Sequence, residues 1–168
     1  NSYIELNDLG IINRIGITHD DKYTLFASVI ESTDENLEPV EKLITAEGND
    51  IPELINNLST SLNKKIYMSH LDLLIIDDTI KSYEIKNLIN FFLNNNETRE
   101  NFLVVSTSDI KTLINNSKFQ EINDLTTINQ NETSKSIQTT MFDVALNFYL
   151  NEPIYIQNIN YNDTPYLD

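Results

Sequence analysis

Two histidines, His19 and His70, are all the imidazole in this chain of 168 residues, and no cysteine accompanies them. Neither stands in a local metal-ligand spacing, such as two His four apart with a Glu between, so no His-based metal site is expected. His19 reads as part of a solvated hairpin loop. Ser69-His70 sets a hydroxyl beside an imidazole, but neighbours on a strand point to opposite faces and no glycine-flanked elbow surrounds the serine. His70 therefore reads as structural, hydrogen-bonded within or beside a core strand at an interruption.

Asp77-Asp78, directly after the apolar run Leu73-Leu74-Ile75-Ile76, has the form of a magnesium-binding acidic pair at a strand end. The companions such a phosphoryl-accepting site requires are missing, since Asp124 lies in a helical pattern and Val104-Val105-Ser106 supplies no Lys. The pair reads instead as polar capping at the entry to a helix near Ser82. Glu31, Asp34, Glu35, Glu38 and Glu41 lack the regular Asp spacing of a calcium loop and read as a solvated acidic loop. Gly10, Gly16 and Gly48 are isolated, so no phosphate-cradling loop is present. Neither a metal nor a nucleotide cofactor is expected.

Such side chains need a scaffold, and the composition bounds it. Lys plus Arg number 11 against 26 Asp plus Glu, a formal net charge of −15. That balance argues against nucleic acid, whose binding is driven by clustered cations, and against electrostatic attachment to an anionic bilayer. No apolar stretch approaches the ~20 residues of a spanning helix. The chain starts at Asn1 rather than Met, which leaves room for a processed N-terminus. Three Gly and four Pro are few for a turn-dense sandwich, and 40% hydrophobic residues are too many for a disordered chain.

Alternation at Leu9, Ile11, Asn13, Ile15 and Ile17 predicts a strand with one buried face, and Tyr23–Ile30 predicts its antiparallel partner across Thr18–Lys22. Val40–Glu47 is a third strand. Gly48-Asn49-Asp50 stops it, and Asp50 with Glu53 opens a helix carrying Ile51, Leu54, Ile55, Leu58 and Leu62 on one face. Ile66–Ile76 reads as an interior strand with an interruption near Ser69-His70, Ser82–Leu93 as a second helix, and Phe102–Val105 as a short strand. Helical spacings follow at Ile110, Leu113 and Ile114, at Phe119 and Ile122, and at Met141, Ala145, Leu146 and Tyr149. Ile154-Tyr155-Ile156 is a last extended piece at an edge. The expected fold is α/β (α+β): a mixed β-sheet with an N-terminal antiparallel hairpin, flanked by helices, with residues 1–168 forming a single domain.

Four ordered strings carry a family resemblance: Glu5-Leu6-Asn7-Asp8-Leu9, Ile15-Gly16-Ile17, Ala46-Glu47-Gly48 and Lys64-Lys65-Ile66-Tyr67-Met68-Ser69-His70. Asn90-Phe91-Phe92-Leu93 and Glu97-Thr98-Arg99 extend it. In combination the chain resembles the N-terminal domain of the Ger(x)C family, the C-subunit lipoproteins of spore germinant receptors. Asn13-Arg14 departs from the family pattern, which has small residues there.

The resemblance implies a non-enzymatic lipoprotein on the outer face of the spore inner membrane, in which this chain is the N-terminal domain of a longer protein. It also implies attachment through an upstream lipidated Cys absent from this chain, and membrane-spanning A and B receptor subunits as partners in nutrient-triggered germination. Family-matching positions Glu47, Gly48, Ser69 and His70 are the binding candidates it offers. The rival reading from the residues alone is a soluble α/β enzyme or small-molecule binding domain using Asp77, Asp78 and His70 in a cleft at strand ends.

Overall fold

A computed structural model describes residues 9–31, 40–95, 97–99, 101–132 and 139–168. The N-terminal motif Glu5–Asp8 and the acidic positions Asp34, Glu35 and Glu38 lie outside the described residues. Strands β1 (Leu9–His19) and β2 (Tyr23–Glu31) form the expected antiparallel hairpin, and β3 (Val40–Gly48) pairs antiparallel with β2. The hairpin loop is shorter than its polarity implies. Thr18 and His19 are the last strand residues and pair with Thr24 and Tyr23, leaving only Asp20, Asp21 and Lys22 to turn the chain.

Helix α1 (Ile51–Leu62) starts where the side-chain chemistry says it should. Asp50 Oδ1 accepts from the Glu53 N–H at 2.8 Å, and Glu53 Oε2 accepts from the Asn49 N–H at 2.9 Å. The helix begins so close to β3 that a Cβ on Gly48 would lie 3.1 Å from the Leu54 backbone nitrogen. Asn63, left-handed at φ 51°, ends it.

The expected strand Ile66–Ile76 is two strands, β4 (Lys65–Tyr67) and β5 (Leu73–Asp77), both pairing parallel with β1 at successive registers. Ser69 and His70 form the turn between them. Helix α2 (Ser82–Asn94) leads to β6 (Leu103–Thr107), parallel to β5. Leu74 and Ile76 face one side of the sheet, and Leu73 and Ile75 the other, so β5 is buried on both faces.

The alternation expected along β1 does not run through. A register irregularity between Ile12 and Arg14 inserts one residue, which moves Ile12 onto the same core as Ile15 and Ile17 and leaves Leu9 and Ile11 only half-buried.

Three more helices follow: α3 (Ile110–Asn116), α4 (Phe119–Glu132) and α5 (Met141–Tyr149). Helices α1, α2 and α5 cover one face of the sheet, and α3 and α4 the other. Ile154–Ile156 is not a strand. Extended pairing begins just afterwards, in the hairpin β7 (Gln157–Asn162) and β8 (Thr164–Leu167), with β7 parallel to β6. Asn158, Asn160 and Asn162 mask this strand in the sequence, because Ile159 is its one fully buried side chain. The sheet order is β3-β2-β1-β5-β6-β7-β8, with β4 beside β1. The fold is thus the mixed sheet flanked by helices, with an antiparallel N-terminal unit.

Candidate functional site

Polar side chains gather where β1 and β5 end. Asp77, buried as the last residue of β5, accepts hydrogen bonds at Oδ1 from the Ile110 N–H (2.8 Å) and at Oδ2 from the Thr79 N–H (3.0 Å), the Thr79 hydroxyl (2.7 Å) and the Thr18 hydroxyl (3.3 Å). The carboxylate ties β1, the turn after β5 and the first residue of α3 together. Its lone pairs are used for this purpose, which leaves little for a cation. Asp77 does not cap the helix at Ser82, whose N-cap is Lys81; it takes the N–H of Ile110, the first residue of α3, while Asp109 is the N-cap of that helix. Asp78 points to solvent, and its N–H donates to the Thr107 carbonyl at 2.9 Å.

The Thr79 hydroxyl also accepts from the His19 N–H at 2.9 Å, linking this group to a second one. Here Glu84, on the first turn of α2, is buried. Its Oε2 accepts from the Lys81 N–H at 2.6 Å, and its Oε1 accepts from the Tyr23 hydroxyl and from His19 Nδ1. Facing a carboxylate, Nδ1 of His19 carries the ring proton. The His19 and Tyr23 rings stack with centroids 3.9 Å apart.

Burial opposes ionisation of Glu84. The Lys81, Tyr23 and His19 donors outweigh it and hold the carboxyl below its usual range. The same burial and the adjacent carboxylate push the Tyr23 phenol up. His19 is therefore a member of a half-buried cluster, not of a solvated loop.

A third polar group sits on Arg14, buried at the irregularity in β1. Its guanidinium donates to Glu41 Oε1 at 2.8 Å and to Gln120 Oε1 at 2.9 Å, and lies 3.3 Å from Asp72 Oδ1. Ser28 donates its hydroxyl to the same Glu41 oxygen. β3, the approach to β5 and α4 thus converge on one cation. Desolvation lifts the Asp72 carboxyl above its usual range despite the guanidinium beside it.

The residues singled out in sequence do not assemble. His70 is exposed, its ring 6.0 Å from that of Tyr67, and no hydrogen bond holds it as a core histidine. The turn at Ser69-His70 explains this: the residue sits outside both strands whose apolar neighbours implied burial. His70 precedes β5 and Asp77 ends it, so the two stand at opposite ends of one strand.

Glu47 is exposed, and its carbonyl accepts from Asn57 Nδ2 at 2.7 Å, while Gly48 serves the close approach of α1. Among the described residues no group of three or more His, Asp and Glu could hold a metal ion. No motif in the sequence marks Glu84, Tyr23 or Arg14 as a member of a buried polar cluster. One signal for Glu84 was present: it precedes Leu88 and Phe92 at steps of four and so shares their buried stripe.

A groove of about 1010 Å³ opens between the start of α1 and α2, with His19, Tyr23 and Glu84 in its wall. Among the described residues no helix is long and apolar enough to cross a membrane. Fold and polar groups together define a mixed α/β domain whose buried charges are engaged in holding its elements to one another.

The chain belongs to the family of spore germination protein N-terminal domains, whose profile matches residues 2–160. It is similar to spore germination protein KC of Bacillus subtilis (strain 168), 27% identical over 114 residues that take in 61% of this chain. The matched stretch spans 27% of that relative, about a quarter of its length. No solved structure matches.

Proposed function

We propose that this chain is the N-terminal domain of a longer lipoprotein that works in spore germination by protein contact rather than catalysis. The observation that carries the reading is the family match over residues 2–160. The dispersal of the reactive side chains supports it: Ser69 and His70 lie in a turn, Asp77 is saturated by donors, and the buried charges Glu84 and Arg14 bridge structural elements. In this reading the protein is held at the outer face of the spore inner membrane by a lipid on a Cys upstream of Asn1. There it acts with membrane-spanning A and B receptor subunits when nutrient germinants arrive. A net charge of −15 gives the domain no attraction of its own for anionic lipid.

Replacing the upstream Cys by Ala in the natural gene tests this. The protein should leave the spore membrane fraction, and nutrient-triggered release of the spore core's small-molecule store should slow severely. Unchanged fractionation together with unchanged germination would overturn the reading.

A further inference from the structure

The groove between the start of α1 and α2 is long and polar. Along α2, Tyr83, Asn87, Asn90 and Asn94 line it at steps of four, three and four, so they share one side of the helix. Tyr83 and Asn94 stand roughly 16 Å apart along the helix axis, the length of about five residues of extended chain. Asn87 and Asn94 are exposed, and among the described residues their carboxamides hold no hydrogen bond. Asn90 Oδ1 accepts from the Tyr149 hydroxyl at 3.4 Å, which leaves its amide nitrogen to donate.

Shape and charge together select the occupant. A carboxamide donates and accepts at once, as a peptide unit does, so a row of them fits a backbone laid alongside. At about 1010 Å³ the groove lies at the upper limit of small-molecule clefts, and its length suits an extended chain better than a compact molecule. Among the described residues no Lys or Arg lines it, whereas Asp50 and Glu97 do, both at exposed positions. Asp50 caps α1 through Oδ1, and Glu97 meets the exposed Lys65 only at 3.5 Å, so both carboxylates have oxygens left for a cation. Glu84 is already engaged by Lys81, Tyr23 and His19. Tyr83, 75% exposed, and the half-buried Phe91 add aromatic faces on which the stem and head of a cationic side chain can lie.

We propose that this groove binds an extended, Lys- or Arg-bearing segment of a partner protein, with Asn87 and Asn94 holding its backbone and Asp50 and Glu97 its cations. The proposal gives the protein contact of this domain a site and a partner chemistry, and rests on the reading of the domain as a contact module.

The test titrates the full-length protein, in about 0.15 M salt to screen diffuse attraction, with a fluorescent hexapeptide alternating lysine with threonine. Its counterpart alternating glutamate with threonine, and lysine amide alone as competitor, are the controls. The lysine peptide should bind and the controls should not. Asn87→Ala with Asn94→Ala should weaken that binding roughly tenfold, as the loss of two hydrogen bonds with no change of charge. Both positions are exposed and alanine is the stronger helix former, so folding survives the change. Asp50→Asn, which keeps a capping side chain on α1, should weaken binding roughly threefold, whereas Asp163→Asn, exposed and outside the groove, should leave it unchanged.

Absence of binding, equal binding of the glutamate peptide, equally tight binding of lysine amide, an affinity untouched by the asparagine pair, or an Asp163→Asn effect as large as that of Asp50→Asn would each overturn the proposal. Failure of the germination reading is seen separately. Spores carrying the Cys variant would germinate normally while the full-length protein still bound the lysine peptide.

Discussion

Asp77 and Asp78 are adjacent and identical in type, yet they occupy opposite environments. Removing the Asp77 carboxylate orphans the buried Ile110 N–H, a loss of about 1–3 kcal/mol for such a donor, with the Thr79 and Thr18 groups adding to it. Asp78→Ala and His70→Ala, at exposed positions, should each change stability by less than about 0.5 kcal/mol. Urea midpoints of the three variants decide the matter, and a mild Asp77→Ala would refute the network.

Glu84 makes a second residue-scale prediction, through pH. Its folded-state pKa lies below the ordinary 4.5 of a free glutamate, because the donors from Lys81, Tyr23 and His19 outweigh desolvation. A depressed carboxyl adds stability above the unfolded pKa, and that contribution disappears as pH falls through the folded value. Between about pH 7 and about pH 3 the parent protein should therefore lose more unfolding free energy than Glu84→Gln. Parallel pH profiles would contradict the assignment.

At the scale of elements, β1 sets most of the architecture. It pairs with β2 on one side and with both β4 and β5 on the other. α3 approaches it closely at Gly16, where an added Cβ would lie 2.6 Å from Ile110 Cδ1 and 3.2 Å from Ile114 Cδ1. Both are ends of flexible side chains, so Gly16→Ala should be accommodated at a cost of about 1–3 kcal/mol by overpacking rather than abolish folding. Thermal or chemical denaturation measures that cost, and an Ala as stable as Gly would show that α3 does not press on β1. The irregularity beside Arg14 matters at this scale too. One extra residue changes which side chains of β1 face the core, and it accompanies the burial of a guanidinium that gathers β3, α4 and the segment before β5.

The whole molecule carries a charge of −15, and among the described residues only a few ion pairs offset it. Self-repulsion of this size opposes compaction. Raising salt to about 0.15 M shortens the screening length to ~8 Å and should raise the melting temperature relative to a low-salt buffer. A melting temperature that falls with added sodium chloride would mean that specific ion pairs outweigh the net repulsion. The same charge opposes approach of this domain to an anionic lipid surface.

The local patterns determined a great deal by themselves. Period-two and helical spacings, the Asp50–Glu53 start of α1 and the apolar run of β5 specify the main strands and helices, because each depends on neighbours a few residues away. The antiparallel start and the mixed sheet follow from the order of those elements, and the ordered motifs from Glu5 to Arg99 carry the family. Tertiary structure alone decided the rest. The split of Ile66–Ile76, the parity change at Arg14 and the Asn-rich strand β7 depend on pairing partners far along the chain. So does the meeting of His19 with Glu84, 65 positions apart. A side chain's burial and its hydrogen-bond partners are properties of the packed sheet rather than of local spacing. For that reason His70, flanked by apolar residues, lies in solvent, while the charged Glu84 and Arg14 lie inside.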